Sequence, residues 1–233
     1  NLPDVAVVPS EHFNTVLYTG DGSTQAVTGT GFQPDLVWLK ERSSTSGHGL
    51  FDAVRGVQKV LRSSDTGAEE DQSNYLTVFG TDGFTVGGDG SVNQDTITYV
   101  AWNWKANGSG SSNTNGSITS TVSANVDAGF SIVTYTGNSS AGATIGHGLS
   151  SAPEMVIVKT RSATDDWYIY YGDPTDYIRF DTRAGEDNHV VWNDTAPTAN
   201  VFSVGTANGV NNGSLLAYCF HSVDGYSKVG SYT

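Results

Sequence analysis

The octapeptide FNTVLYTG at residues 13–20 returns as FSIVTYTG at residues 130–137. Both copies are rich in β-branched and aromatic residues, and both end in Thr-Gly, which is typical of a β-strand followed by a turn. A strand that occurs twice, so far apart in the chain, indicates a structure built from two similar units.

Four further pairs of segments follow these octapeptides in the same order. The pairs are residues 31–40 with 148–159, 42–43 with 161–162, 84–87 with 202–205, and 99–104 with 215–220. Their spacing stays between 116 and 119 residues, a register that chance resemblance between strands would not keep. We therefore expect an all-β fold of two tandem antiparallel β-sandwich domains, jelly-roll-like, that arose by internal duplication. A β-barrel in each unit is the alternative.

The repeat divides the chain into four parts. They are an N-terminal extension at residues 1–12, a first sandwich at 13–105, a linker and hairpin at 106–129, and a second sandwich at 130–233. The Gly/Ser/Asn-rich tract 106–116 predicts a flexible connection, and residues 117–123 are expected to pair with 130–136 as a hairpin. Residues 228–233 echo the opening of both units, so they either close the second unit or begin a third copy. Because the sequence starts without Met, we expect a segment of a longer repeat protein, or a processed one.

Short apolar or alternating runs between turn residues predict the individual strands. These runs lie at residues 14–18, 36–40, 76–79, 84–86, 97–104, 130–136, 155–160, 168–171, 177–181, 190–192, 201–204 and 215–221. Residues 50–62 are the only candidate helix, and a pair of edge strands is the alternative for them.

The composition excludes several classes of protein. The chain has 233 residues with 24 acidic and 11 basic side chains, for a net charge of −13, so it lacks the basic surface that nucleic-acid binding requires. No apolar run approaches the roughly 20 residues of a membrane-spanning helix, and we expect no membrane insertion. Cys219 is the only cysteine, which rules out an intrachain disulfide, and its neighbours predict a buried free thiol.

The densest group of polar residues lies at 48–56. His48 and Asp52 form one candidate pair, an acid and a base of an enzyme. Alternatively, Asp52 and Arg55 form an ion pair that fixes the loop beneath packed apolar side chains. We favour the ion pair, because the corresponding residues 167–170 of the second unit carry no charge. No nucleophile elbow, phosphate-binding loop or metalloprotease motif occurs in the sequence.

Three aromatic residues stand close together beside two acids in the second unit. Alternate side chains of a strand point to opposite faces, so some of Trp167, Tyr168 and Tyr170 are expected to face outward. With Asp165 and Asp166 beside them, these residues are candidates for binding carbohydrate. The same side chains would also suit a protein interface, and packing in the core is the third interpretation.

The acidic residues indicate two further kinds of site. A glycoside hydrolase needs two carboxylates on either side of one sugar bond, and the candidates lie between Asp165 and Asp187. Calcium takes oxygen ligands from flexible loops, and Asp89 and Asp95 are the calcium candidates. Neither loop has the full EF-hand pattern, so solvated turns are the simpler interpretation. Calcium is the only cofactor for which the sequence offers candidates.

Two blocks of the sequence resemble known repeats. The block YTG…GFQPDLVWLKERS…HGLFDAVRG…TDGFTVGG…YVAWNWKANG, within residues 18–108, is similar to a repeat family of virion structural and tail-fibre proteins from marine tailed phages, many of which infect cyanobacteria. The block GFSIVTYTGN…GHGL…APEMVIVKTRS…DDWYIYY…FSVG…GYSKVGSYT, within residues 129–233, resembles the companion repeat of that family. The resemblance extends from Phe13 to Thr233, and its motifs name no catalytic residue.

The resemblance implies a non-enzymatic module on the virion surface, part of a tail fibre, a capsid fibre or a decoration protein. Such a module would contact other virion proteins, further copies of itself as a homo-oligomer, and host-surface carbohydrate. The alternative is a tail-associated polysaccharide depolymerase that uses paired carboxylates. Two collinear units whose polar loops differ favour the module, because an enzyme seldom needs both units. A piece of a bacterial adhesin or surface layer would have the same architecture.

Overall fold

Nine strands and a short helix form the first half of the chain. The computed structural model describes residues 7–180, 187–188 and 190–231. The elements of the first half, termed unit one, are β1 (Phe13–Thr19), β2 (Gln25–Thr28), β3 (Leu36–Glu41), β4 (Gly49–Asp52), β5 (Lys59–Arg62), β6 (Glu70–Asp71), β7 (Leu76–Gly80), β8 (Gly83–Val86), α1 (Gly90–Asn93) and β9 (Thr98–Trp104).

The second half, termed unit two, is built in the same way. Its elements are β10 (Ser111–Asn113), β11 (Ser120–Asn125), β12 (Phe130–Asn138), β13 (Ala143–Gly146), β14 (Met155–Thr160), β15 (Trp167–Tyr170), β16 (Asp176–Arg179), β17 (Asp187–Asn188), β18 (Val201–Val204), α2 (Asn208–Asn211) and β19 (Asn212–Phe220). In the described part of the chain, no helix has the length and apolar character needed to cross a bilayer.

The two units share one strand order. The large sheet of unit one runs β1-β9-β3-β4-β5-β6, and the large sheet of unit two repeats it as β12-β19-β14-β15-β16-β17, with β11 and β10 added beside β12. A small sheet packs on one face of each large sheet, β2-β8-β7 in unit one and β13-β18 in unit two. Neighbouring strands pair antiparallel throughout both large sheets. The predicted all-β, antiparallel sandwich fold is therefore confirmed, and the shared strand order supports the inference of duplication.

A buried asparagine closes the same turn in each unit. Asn93 in α1 and Asn211 in α2 have no exposed surface, and each side chain bonds to backbone atoms on both sides of the turn. The matched bonds are Asn93 to Gly87 (3.0 Å) and to the N–H of Asp21 (3.0 Å), and Asn211 to Gly205 (2.7 Å) and to the N–H of Asn138 (3.0 Å). These amides satisfy buried backbone groups that would otherwise be unpaired.

The glycine of the repeated Thr-Gly pair marks a close approach of two backbones. A Cβ atom at Gly20 would collide with the carbonyl oxygen of Gln94, and one at Gly137 would collide with the backbone of Asn211. Only glycine fits where the strand passes the short helix, which accounts for its presence at the end of both octapeptides.

Three apolar cores separate four sheet layers. An outer core lies between the small and the large sheet of each unit. The third, termed the central core, lies between the two large sheets. Its buried members are Leu36, Leu50, Leu61, Ala106, Phe130, Ile132, Ile157, Trp167, Ile169, Leu216 and Tyr218. Because residues of both units share this core, the chain forms one continuous stack of sheets.

The segment between the units is structured over part of its length. In the tract 106–116, Ala106 is buried in the central core and Ser111–Asn113 form β10. The composition of this tract indicates a flexible connection, but Ala106 and Ser111–Asn113 are structured. The hairpin expected next is present, because β11 pairs with β12.

The predicted strands agree with the structure except in two places. Residues 50–62 are not a helix, because they form β4 and β5, in which Leu50 and Leu61 pair and enter the central core. Residues 190–192 form a turn and not a strand. Position 181 of the expected strand 177–181 lies outside the described residues. The other predicted strands are present to within a few residues, and β2, β6, β10, β13 and β17 were missed.

Candidate functional site

Asp52 and Arg55 form a buried ion pair at the end of β4. Arg55 Nε lies 2.5 Å from Asp52 Oδ2, and neither side chain has exposed surface. Arg55 also donates a hydrogen bond to the carbonyl of Leu50 (2.9 Å). The favoured interpretation of this segment, an ion pair that fixes the loop, is confirmed.

The ion pair continues into unit two. Arg55 Nη1 donates to Glu69 (3.1 Å), and Arg161 of unit two donates two hydrogen bonds to the same carboxylate (2.9 and 2.8 Å). The hydroxyl of Tyr218 donates to Asp52 (2.9 Å). These five residues, termed the interface network, give each buried charge an opposite charge and hydrogen bonds, which is what burial of charge requires.

The surroundings of the interface network shift the pKa values of Glu69 and Tyr218. Burial alone would raise the pKa of Glu69, but the hydrogen bonds and charges of Arg161 and Arg55 outweigh burial and hold this pKa below its ordinary value. Burial, and then the charge of Asp52, raise the pKa of Tyr218 well above its ordinary value, so its hydroxyl stays a donor. A general acid needs a pKa near the working pH, and Glu69 is shifted the opposite way.

His48 and Asp52 do not form the acid–base pair considered from the sequence. The Nδ1 atom of His48 accepts the indole N–H of Trp38 (2.8 Å), whereas the Asp52 carboxylate is bonded to Arg55 and Tyr218. The structure therefore does not bring this candidate pair together.

The aromatic residues expected to face outward in unit two are mostly buried. Trp167 has no exposed surface, lies in the central core and donates its indole N–H to the carbonyl of Arg62 (2.9 Å). Tyr170 is 5% exposed and belongs to the outer core of unit two, and Tyr168 is half-buried against the same core. The expectation fails because β15 is covered on both faces, so the alternation of its side chains leaves no outward face.

The acids proposed for glycoside hydrolysis make local contacts where the structure describes them. Asp165 accepts the hydroxyl of Tyr168 (3.1 Å), and Asp166 forms an ion pair with Arg179 (2.9 Å). Asp173 accepts a hydrogen bond within its own turn. Asp181, Glu186 and the side chain of Asp187 lie outside the described residues.

The two calcium candidates lie at the start of α1 and just after it. Asp89 caps this helix, because its Oδ1 accepts the backbone N–H of Ser91 (2.8 Å), and Asp95 is exposed. Over residues 7–180, 187–188 and 190–231, no group of three or more His, Cys, Asp or Glu is placed to hold a metal ion. Calcium binding at these positions stays a prediction.

Cys219 is buried without exposed surface, as the sequence predicted. Burial raises the pKa of its thiol to about 12, against a smaller opposing effect of Ser131. Because the thiolate is the reactive form, this cysteine is an inert part of the outer core.

A partly buried aromatic cluster, termed the aromatic face, lies on the large sheet of unit one. Its members, Phe13, Trp38, His48, Trp102 and Trp104, line an open cavity of about 270 Å³. The ring centres of Trp38 and Trp102 lie 6.3 Å apart at an angle of 77°, and the ring of His48 is nearly parallel to that of Trp102. The rings of Trp38 and Trp102 are therefore nearly perpendicular to each other, and this pair is termed the aromatic corner.

Strand register assembles the aromatic face. Trp102 in β9 pairs with Trp38 in β3, and Trp104 pairs with Phe13 in β1. The alternation in YVAWNW (residues 99–104) sends Tyr99, Ala101 and Asn103 inward and the two tryptophans to the other face. This alternation is the sequence pattern that could have indicated the aromatic face. The sequence of a single strand, however, does not show which of its two faces another unit covers.

His48 is held neutral in the aromatic face. Burial, and then the charge of Lys40, lower the pKa of His48 from its ordinary value. The neutral ring keeps Nδ1 free to accept the Trp38 indole N–H, so the bond fixes the two rings relative to each other.

A larger cavity, of about 600 Å³, opens beside β15 and β16. Its lining is mainly apolar and includes Met155, Ile169 and Val229. Glu154 at its border is bonded to Ser222 (2.7 Å). In its described lining, the buried hydroxyl of Tyr171 has no hydrogen-bond partner.

Comparison with curated proteins and comparison with solved structures gave no match. A family described as a domain of unknown function, DUF7483, matches residues 8–233 and so covers both units together with the segment between them. By this match, the chain belongs to the DUF7483 family.

Proposed function

We propose that this chain is a non-enzymatic structural and adhesion module of a phage virion. In this role, two stacked sandwich units hold a surface in place for contact with the host or with other virion proteins. The resemblance of both units to virion and tail-fibre repeats supports the virion setting. The central core supports the structural role, because it makes a continuous stack from two units.

The interface network is the observation that carries the proposal. The densest group of polar residues in the sequence, 48–56, is where the catalytic acid and base of an enzyme would be expected. In this chain Asp52 and Arg55 have no exposed side-chain surface, and they are bonded to unit two through Tyr218 and Glu69. A group that no substrate can reach, and that bridges two units, supports a structural use.

The depolymerase alternative depends on the acids of unit two. It requires two carboxylates on either side of one sugar bond, with room for a water molecule or a covalent intermediate. Asp166 is paired with Arg179 and Asp165 is bonded to Tyr168. These contacts support structural roles for both acids.

The proposal is tested on purified particles of the phage that encodes the chain. We expect quantitative mass spectrometry to find it at a fixed copy number per particle, and the purified protein to release no reducing sugar from host envelope polysaccharide. Absence from the particles would contradict the proposal. So would sustained sugar release that an Asp165→Asn or Asp166→Asn variant of unchanged melting temperature abolishes.

A further inference from the structure

We infer that the aromatic face of unit one is a carbohydrate-binding site for a neutral pyranoside. The inference rests on the proposed adhesion role and names the ligand class and the residues for it. Three observations carry it: the contrast with unit two, the fixed geometry of the rings, and the size and charge of the cavity.

The contrast with unit two comes from strand register. The register of the two large sheets makes Thr15, Trp38, Val100 and Trp102 equivalent to Ile132, Ile157, Leu216 and Tyr218. The unit-two residues lie in the central core, and three of the four are aliphatic. At the same positions of unit one, Thr15 is exposed, and Trp38, Val100 and Trp102 are only partly buried. Trp38 packs against the edge of the central core, and its ring centre lies 5.8 Å from that of Phe180 in unit two. Tryptophan combines a large apolar face with an N–H donor, which suits a surface that is wet before a ligand binds.

The geometry of the rings fits a sugar. A pyranose has a C–H face that stacks on an aromatic ring and a rim of hydroxyls that needs hydrogen-bonding groups. The ring of Trp102 offers a surface on which the C–H face of the sugar can stack, and the plane of the Trp38 ring makes an angle of 77° with it. The bond from Trp38 to His48 (2.8 Å) fixes this corner in advance, which lowers the entropy cost of binding. Within the described residues, the indole N–H of Trp102 has no protein acceptor and is open to a sugar hydroxyl.

The size and charge of the cavity favour a sugar over a protein partner. Five side chains line this cavity of about 270 Å³, whereas a stable protein interface draws on about 20–30 residues of each partner. None of the five carries a full charge while His48 is neutral, so the site offers no counter-charge to an acidic sugar. The net charge of −13 also repels polyanionic polysaccharides. A neutral pyranoside is the ligand that remains.

The experiment titrates the full chain with two neutral oligosaccharides, cellohexaose and a β-galacto-oligosaccharide, and with an alginate oligosaccharide as the acidic comparison. Calorimetry gives the affinity, and NMR follows the indole N–H signals of Trp38 and Trp102. The test variant is Trp102→Ala. Trp102→Phe keeps a ring, and Leu17→Ala removes an apolar side chain that is 59% exposed on the same sheet but outside the cavity.

We expect at least one neutral oligosaccharide to bind and to shift both indole signals. Trp102→Ala should weaken this binding about tenfold or more, while Trp102→Phe and Leu17→Ala stay within about threefold of the parent. Melting temperatures identify a variant that has lost its fold. If Trp102→Ala does not fold, Trp102→Phe decides the outcome, because the neutral oligosaccharide should still shift the remaining indole signal of Trp38.

Three results would overturn the inference: no binding of either neutral sugar, tighter binding of alginate, or unchanged binding in a folded Trp102→Ala variant. A concentration-dependent dimer that this variant abolishes would also overturn it, because the face would then be a contact between copies of the chain. None of these results changes the copy number in particles, so this inference and the proposed function fail separately.

Discussion

The hydroxyl of Tyr218 in unit two donates a 2.9 Å hydrogen bond to the carboxylate of Asp52 in unit one. The tyrosine is 2% exposed and the aspartate is fully buried, so water cannot replace the bond. Asp52 in turn holds Arg55, and Arg55 contacts Glu69. One hydroxyl therefore connects the two large sheets through charged groups.

Removing this hydroxyl should destabilise the protein more than removing one bonded to a neutral group. We expect Tyr218→Phe to lower the free energy of unfolding by about 1.5–3 kcal/mol, because its acceptor is a buried charge. Tyr135→Phe is the matched control, since that hydroxyl is buried but donates to the carbonyl of Val210 (2.7 Å), and its loss should be about 0.5–1.5 kcal/mol. Urea unfolding measures both. An equal or smaller loss for Tyr218→Phe would contradict the role given to Asp52.

Acid should weaken the contact between the units. Because the pKa of Glu69 is lowered in the folded state, its contribution to stability is present above the unfolded-state value near 4.5 and is lost as the pH falls through the lower folded-state value. We expect Glu69→Gln to flatten the pH dependence of the melting temperature below pH 4.5. The exposed Asp127→Asn, which removes one negative charge away from the interface network, serves as the control. A Glu69→Gln curve parallel to the parent curve would count against the interface network.

The two buried asparagines should be equally important. We expect Asn93→Ala and Asn211→Ala each to lower the free energy of unfolding by about 1–3 kcal/mol, because each leaves buried backbone groups unpaired. The exposed Asn107→Ala serves as the control and should cost less than about 0.5 kcal/mol. Chemical denaturation gives the values. A large loss at one asparagine with none at the other would show that the units are not equivalent at this turn.

Much of the fold could be predicted from the sequence, because the repeat presents two copies of the matched strands. Pairs such as residues 84–87 with 202–205 marked β8 and β18 correctly. Residues 50–62 were ambiguous, since Leu50 and Leu61 face the central core while their neighbours in the sequence face the outer core. A strand that is buried on both faces loses the period-two pattern and resembles a helix.

The candidate site was harder to predict, because it depends on where one unit covers the other. Trp167 and Trp102 both alternate with other residues in strands, yet the first lies in the central core and the second lines an open cavity. Nothing in either local sequence shows the position of the opposite sheet. Asn93 and Asn211 were overlooked for a different reason: their partners are backbone groups, which leave no trace in side-chain patterns.

Protonation of His48 should loosen the aromatic face. Its folded-state pKa is lowered, first by burial and then by Lys40, so the folded state favours the neutral ring. The contribution of His48 to stability is therefore fully present above the unfolded-state pKa of 6.5, and it decreases as the pH falls from there toward the lower folded-state pKa. At that lower pKa, Nδ1 gains a proton and the hydrogen bond from Trp38 breaks.

NMR titration should show a His48 pKa below 6.5, together with a change of the Trp38 indole signal at the same midpoint. His48→Gln should remove that midpoint from the indole signal, while the titration of His147, whose pKa is also lowered by burial, remains. A His48 pKa above 6.5, or an indole signal that does not follow it, would contradict the bond to Nδ1.

The central claim is that this chain is a virion component that holds a surface outward, and an electron cryo-microscopy map of the native particle tests it most directly. The account predicts many ordered copies in which both units pack through the interface network and the Trp38–Trp102 corner points to solvent. Particles without the chain would contradict it, and copies whose aromatic corner is covered by a neighbouring virion protein would contradict the carbohydrate site on unit one.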